Sequence, residues 1–166
     1  MSTTIRTMTP DDFETLVDLK WALNKIERES MPDTHTQKGD RSGARQAARE
    51  GIRGYMEITA ERTGEILIAE HDGSIAGCIV WYPDMASPSL HDEARPRAQI
   101  SGFIVRPEYR GSGIGKALMT EVETRARKRG LQRMSLNVVD WNEPARALYE
   151  RIGFEPMELI MTRRLD

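Results

Sequence analysis

Cysteine, histidine and aromatic residues are all scarce in this chain: 166 residues hold one cysteine, three histidines, three tryptophans, four tyrosines and three phenylalanines. Cys78 alone can close no intramolecular disulfide and build no cysteine-based zinc centre, which suits a reducing compartment. His35, His71 and His91 stand too far apart for a local metal motif, so no metal is expected. Long apolar runs are missing as well. Nothing approaches the roughly 20 residues of a membrane span, and the opening "MSTTIRTMTPDDF" has no apolar segment of signal-peptide length. A cytoplasmic protein with no membrane partner is expected. There is no excess of one charge: 24 Lys and Arg stand against 26 Asp and Glu, a formal charge of −2. A slightly acidic surface argues against a nucleic-acid partner. The length fits one domain spanning residues 1–166.

What is present reads as alternating elements. In "TPDDFETLVDLKWALNKIERE", Thr9 caps a first helix, Pro10 suits its first turn, and Asp11 and Asp12 complement its dipole. Phe13, Leu16, Val17 and Leu23 form its apolar stripe. A polar loop over residues 30–40 and a weaker helix over 43–58 follow. "GEILIAEHDGSIAGCIVWYP" reads as a β-hairpin turning at Asp72, Gly73 and Ser74. Residues 84–96 read as irregular, 97–105 as a strand, and the next helix, with Ile114, Ala117, Leu118 and Val122 on one side, runs to about Arg129 before Gly130. Alternation over 134–139 predicts another strand, Asn142 caps a short helix closed by Gly153, and "FEPMELIMTRRL" is expected to supply the last strands. The class is mixed α/β, in the order α-α-β-β-β-α-β-α-β with a short extra strand near residues 4–7, and a mostly antiparallel sheet flanked by helices.

Between the strand at 97–105 and its helix lies "IVRPEYRGSGIGKALM". A glycine-rich turn opening a helix exposes backbone N–H groups and a positive dipole end, which suits a phosphate. The structural alternative is a tight turn. The density of Arg110, Gly111, Gly113 and Gly115 with Lys116 beside them favours the phosphate. A nucleoside-triphosphate loop would need G-x-x-x-x-G-K-[ST], but Arg110 stands five before Gly115 and Ala117 follows Lys116. A dinucleotide G-x-G-x-x-G starting at Gly111 would end on Lys116, so that motif fails too.

What fits is R-x-x-G-x-G over Arg110, Gly111, Ser112, Gly113, Ile114 and Gly115, joined by N-x-x-A-x-x-x-Y-x-x-x-G-F through Asn142, Ala145, Tyr149, Gly153 and Phe154. With these two motifs in order, the chain resembles the GNAT superfamily of acyl-CoA N-acyltransferases. The resemblance implies acetyl-CoA as cosubstrate and an amine acceptor as partner. It implies a coenzyme A pyrophosphate on the amides of Arg110, Gly111, Ser112, Gly113, Ile114, Gly115 and Lys116. It also implies a pantetheine arm paired with the strand at Phe103, Ile104 and Val105, a cofactor contact at Asn142, and Tyr149 as the acid that protonates the leaving thiolate. On spacing alone Tyr149 reads as a core residue and Asn142 as a helix cap. A homodimer is common in that family.

One departure is plain. Many relatives carry a glutamate in the strand before the loop, whereas "RAQISGFIV" offers Gln99 and Ser101 and no carboxylate. The general base is left to a water chain or to Glu93, Asp92 or Glu27. Cys78, in an apolar strand, is no nucleophile. Asp84, Asp92 and Glu93 are candidates to attract a cationic amine such as a polyamine, aminoglycoside, amino acid or peptide N-terminus. Met85, Trp21 and the 30–40 loop are candidates for the acceptor wall. The basic cluster Arg125, Arg127, Lys128 and Arg129 reads as a solvated helix end. A competing function is a non-catalytic acyl-CoA-binding module, motivated by the absent carboxylate.

Overall fold

A computed structural model describes residues 2–30, 45–86, 96–161 and 163, with the side chains of residues 26–28 and 30 outside that description. Asp92, Glu93, the 30–40 loop beyond its first residue and the Glu27 side chain therefore lie outside the described residues.

Among those residues the chain runs β1 (Thr3–Thr7), α1 (Phe13–Ser30), α2 (Arg45–Glu61), β2 (Glu65–His71), β3 (Ser74–Met85), β4 (Pro96–Val105), α3 (Ile114–Lys128), β5 (Met134–Leu136) and α4 (Glu143–Arg151). The five strands form one sheet in sequence order, antiparallel throughout except for the parallel pair β4–β5. A parallel pair needs a crossover, and α3 provides it. The mixed α/β class and the short N-terminal strand are as expected.

Helices cover both faces of the sheet. On one face Leu16 and Val17 of α1 and Ile52 of α2 bury against Ile66, Ile68, Cys78, Val80 and Ile104. On the other, Ile114, Leu118 and Val122 of α3 bury against Leu67, Ile79, Trp81, Ala98 and Ile100, and Tyr149 and Phe154 pack onto the same cluster. The alternation of strand side chains dictates this division, because neighbours point to opposite faces. One residue breaks the alternation. Val80 pairs with Gly102 and Trp81 with Ile100, which leaves Ser101 unpaired in a bulge. Ala98 and Ile100 before the bulge therefore share a face with Phe103 and Val105 after it.

The hairpin turns where expected, with Asp72 at φ +48° and Gly73 at φ +80°, the left-handed pair that matches strand twist. Three boundaries differ from expectation. Asp84 and Met85 belong to β3 rather than to an irregular stretch, paired with Arg97 and Pro96. β5 stops at Leu136, because β4 and β5 diverge there. Residues 154–161 form no strand. After Phe154, which anchors on the core, Met157, Leu159, Ile160 and Met161 are exposed, and among the described residues no ladder forms there.

The basic cluster also reads differently in three dimensions. Arg125 and Arg129 pair with Glu65 at 2.7 and 3.0 Å and fasten α3 to the start of β2, while Arg127 pairs outward with Glu123. Only part of that cluster is a solvated face. No helix among the described residues is long and apolar enough to cross a membrane.

At the chain's start, Asp12 is buried and accepts two hydrogen bonds from the Arg6 guanidinium, at 2.7 and 2.8 Å, and one from the Thr9 N–H at 2.7 Å. Pairing with Arg6 lowers its pKa from 3.8 to about 2. Asp12→Asn is expected to destabilise the fold by about 2 kcal/mol at neutral pH, a typical cost for losing charge-assisted hydrogen bonds. Because the folded carboxyl titrates below the unfolded one, this contribution is complete above the unfolded value of 3.8 and lost as pH falls through about 2. Urea unfolding of both proteins across that range should show the gap closing on the acid side.

Candidate active site

The site begins where β5 leaves β4. Only Ala98, Gln99 and Ile100 pair with β5, opposite Met134, Ser135 and Leu136, so β4 from Ser101 to Val105 has no ladder partner on that side among the described residues. A strand edge with unpaired N–H and C=O groups can take up another extended chain. The closed end of this cleft is tied by side chains. Gln99 is buried, accepts from Ser135 Oγ at 2.8 Å, and donates through Nε2 to Asn137 Oδ1 at 3.2 Å and to the Ile100 carbonyl at 3.1 Å. Gln99 therefore clamps the two strands at the point of divergence.

At the open end, β4 leads through a 3-10 turn, Pro107–Tyr109, into the glycine loop and α3. Ser112 Oγ donates to the Tyr109 carbonyl at 2.5 Å and Arg110 Nε to the Val105 carbonyl at 3.4 Å, which folds the loop back on the strand. Gly113 is the residue before the helix, at φ +89°, and makes no side-chain cap. The first-turn N–H groups of Ile114, Gly115 and Lys116 are therefore not consumed by a cap. A Cβ at Gly111 or Gly113 would meet nothing within 4 Å, so their lack of side chains answers to positive φ and leaves the space before the helix open. Gly115 differs: a Cβ there would lie 3.1 Å from Phe103 Cζ, so its smallness brings α3 against β4. Backbone amides, a positive helix end and an open approach fit a phosphate group, and the free edge of β4 fits an extended chain.

Tyr149 of α4 lies beside that edge. Its ring centroid is 6.4 Å from Phe103 and 5.9 Å from Phe154. The short helix is aimed by Asn142, whose Oδ1 accepts from the Ala145 N–H at 3.3 Å, so the cap read from sequence is made. Phe103, Tyr149 and Gly115 at the end of the loop thus meet on one face of the sheet, while Asn142 opens the helix that carries Tyr149. Ile104 instead points into the core below α1 and α2, and Ile114 is buried beneath α3, so both can contribute main chain only.

On the opposite face stand two neighbours that no sequence pattern signals. Tyr55 of α2 leans over Gly102, and Lys20 of α1 donates to its hydroxyl at 3.2 Å. A glycine inside a strand does signal close approach, but not by which residue. The candidate acidic attractant Asp84 is neutralised: Arg97 Nη2 lies 3.1 Å from one carboxylate oxygen and the Arg62 guanidinium bonds the other. Met85 stands exposed at the end of β3, and the Lys25 ammonium sits 3.9 Å above the Trp21 ring. Cys78 is fully buried, and burial pushes its thiol up to about 12, which keeps it protonated and unreactive.

Comparison with known proteins agrees with this arrangement. The model of the Acetyltransferase (GNAT) family matches residues 21–154. A relative named 5-NmdU N-acetyltransferase, from Pseudomonas phage PaMx11, is 37% identical over 101 residues, which are 60% of this chain and 64% of that protein. The chain spans about half to two thirds of the length of the curated relatives it matches. Among solved structures, a GCN5-related N-acetyltransferase from Ralstonia eutropha JMP134 superposes with a TM-score of 0.70 at 23% identity, covering 98% of this chain and 99% of that one. The structure of AAC(6')-Iy with the bisubstrate analogue CoA-S-monomethyl-acetylneamine gives a TM-score of 0.66 at 20% identity, covering 100% and 99%. Motif order, sheet topology and a family match over most of its length together place this chain in the Acetyltransferase (GNAT) family.

Proposed function

We propose that the protein is an acetyl-CoA-dependent N-acetyltransferase that acylates a primary amine of a small molecule or peptide by direct attack. The observation that carries this reading is the uncapped N-terminus of α3 opening onto the unpaired edge of β4 beside Tyr149. The amides of Gly111, Ser112, Gly113, Ile114, Gly115 and Lys116 hold the pyrophosphate, and the Arg110 and Lys116 side chains add positive charge. The main chain of Phe103, Ile104 and Val105 pairs with the pantetheine arm. Asn142 uses its Oδ1 as a cap, which leaves its amide NH2 for the cofactor. Coenzyme A complexes of structural neighbours support the cosubstrate.

In the reaction the amine lone pair forms the C–N bond, the C–S electron pair leaves on sulfur, and Tyr149 supplies the proton that the thiolate takes. A phenol remains protonated at neutral pH and so is available as an acid. Gln99 cannot serve as base, since it is an amide engaged on both sides. The amine's proton leaves through water, or through a carboxylate among Glu93, Asp92 and Glu27.

A second reading, a non-catalytic acyl-CoA-binding module, draws on the amide at Gln99 where a carboxylate would serve. Thiol release with a panel of amines separates the two: binding of acetyl-CoA with no turnover favours the module. Tyr149→Phe is expected to lower kcat by about 10²-fold or more, as loss of a general acid does, while acetyl-CoA affinity stays the same. Gly113→Val should instead weaken coenzyme A binding by about tenfold in titration calorimetry, since left-handed strain of about 1–2 kcal/mol disfavours the loop geometry.

A further inference from the structure

Two glycines clear the path of a single pair of side chains. A Cβ on Gly102 would lie 2.9 Å from Tyr55 Cε2 and 3.0 Å from its Oη, so the phenol rests directly on β4. A Cβ on Gly51 would lie 2.3 Å from Lys20 Cε, so the lysine stem passes from α1 over α2 only because position 51 is bare. Lys20 Nζ then donates to Tyr55 Oη at 3.2 Å and sits 4.7 Å from the ring centroid. Both residues are half-buried. A phenol oxygen that accepts from an ammonium still has its own O–H to donate.

The topology says where that O–H is useful. The free edge of β4 starts at Ser101, one residue beyond the last pair with β5, and ends at Val105, where the glycine loop follows. An extended arm anchored at the loop therefore enters at Val105 and ends against the closed Ile100–Leu136 pair. Its acyl end comes to rest beside Ser101 and Gly102. Because Gly102 and Phe103 alternate to opposite faces beyond the bulge, Tyr149 and Tyr55 flank this end from opposite sides of the sheet.

We propose that Tyr55 is a catalytic residue whose O–H donates a hydrogen bond to the acyl oxygen as negative charge develops on it, and that Lys20 is a positioning residue that orients and polarises the phenol. This rests on the N-acetyltransferase reading above. As the amine nitrogen bonds to the acyl carbon, the C=O π pair moves to oxygen, where Tyr55 stabilises it without giving up its proton. When the carbonyl re-forms, the C–S pair leaves on sulfur and is protonated by Tyr149, the excess amine proton goes to water, and the Tyr149 phenolate takes a proton back from water. A preorganised donor is most effective in such a partly dry site, and a cation behind it strengthens the bond.

Steady-state kinetics on the full chain, with the best amine of the panel, test the assignment. Tyr55→Phe keeps the ring over Gly102 and is expected to lower kcat by about 10²-fold, the usual cost of one oxyanion donor, with the acetyl-CoA dissociation constant and the amine KM unchanged. Lys20→Met keeps the stem in the Gly51 notch and should lower kcat by about tenfold, as loss of a polarising neighbour would. It also leaves Tyr55 in place, so it carries the test if the phenylalanine variant does not fold. The double variant should be no slower than Tyr55→Phe alone, because Lys20 acts through the phenol; a purely structural lysine would lower the rate in both backgrounds. Wild-type kcat in Tyr55→Phe, or independent multiplication of the two effects, overturns the inference and leaves the proposed function standing. A wild-type protein that binds acetyl-CoA and transfers to no amine overturns both.

Discussion

Three residue pairs hold β5 to β4, and the site exists because the pairing stops there. Had the ladder continued beyond Ile100 and Leu136, the main chain of residues 101–105 would be spent on protein. Divergence leaves that edge free, and the hydrogen-bonded Gln99, Ser135 and Asn137 make the point of divergence definite rather than frayed. Two well-packed faces make this arrangement stable. α3 and α4 cover one side and α1 and α2 the other, so the unpaired edge is confined to a cleft instead of forming an open sheet margin.

Charge is handled locally throughout the described residues. Arg6 with Asp12 and Glu70, Arg125 and Arg129 with Glu65, and Arg62 and Arg97 with Asp84 are each clusters of opposite sign at element ends. They fix how elements meet. None presents an uncompensated carboxylate to the cleft, so the proposed chemistry rests on backbone amides, a helix end and two phenols. Such groups bind and polarise well but do not carry away a proton at neutral pH, consistent with a route through water or through the residues outside the described set.

The strand–loop–helix unit was legible because its determinants are local. Glycines at 111 and 113 encode φ directly, alternation encodes strands, and Asn142 encodes a cap. The expected strand over 134–139 was too long, because alternation continues in Val138 although the partner strand has already turned away. The expected strands after Phe154 failed in a similar way: apolar residues recur there, but among the described residues none pairs with 154–161 in a ladder. Asp84 is a candidate attractant in the sequence, which does not show that Arg62 and Arg97 converge on it.

The linear chain by itself determined the class of the fold, the glycine-governed turn at 110–116 that opens α3 and the identity of the family, since spacing and backbone conformation within a few residues suffice for these. Tertiary structure alone decided that Ser101 bulges, which face Phe103 and Gly102 each take as a result, and that Tyr149 and Tyr55 stand on the two sides of one free edge. These facts depend on which strands pair and where pairing ends, and on notches at Gly51 and Gly102 filled by residues 31 and 47 positions away. Contacts between segments so far apart in the chain leave no period or motif within either of them.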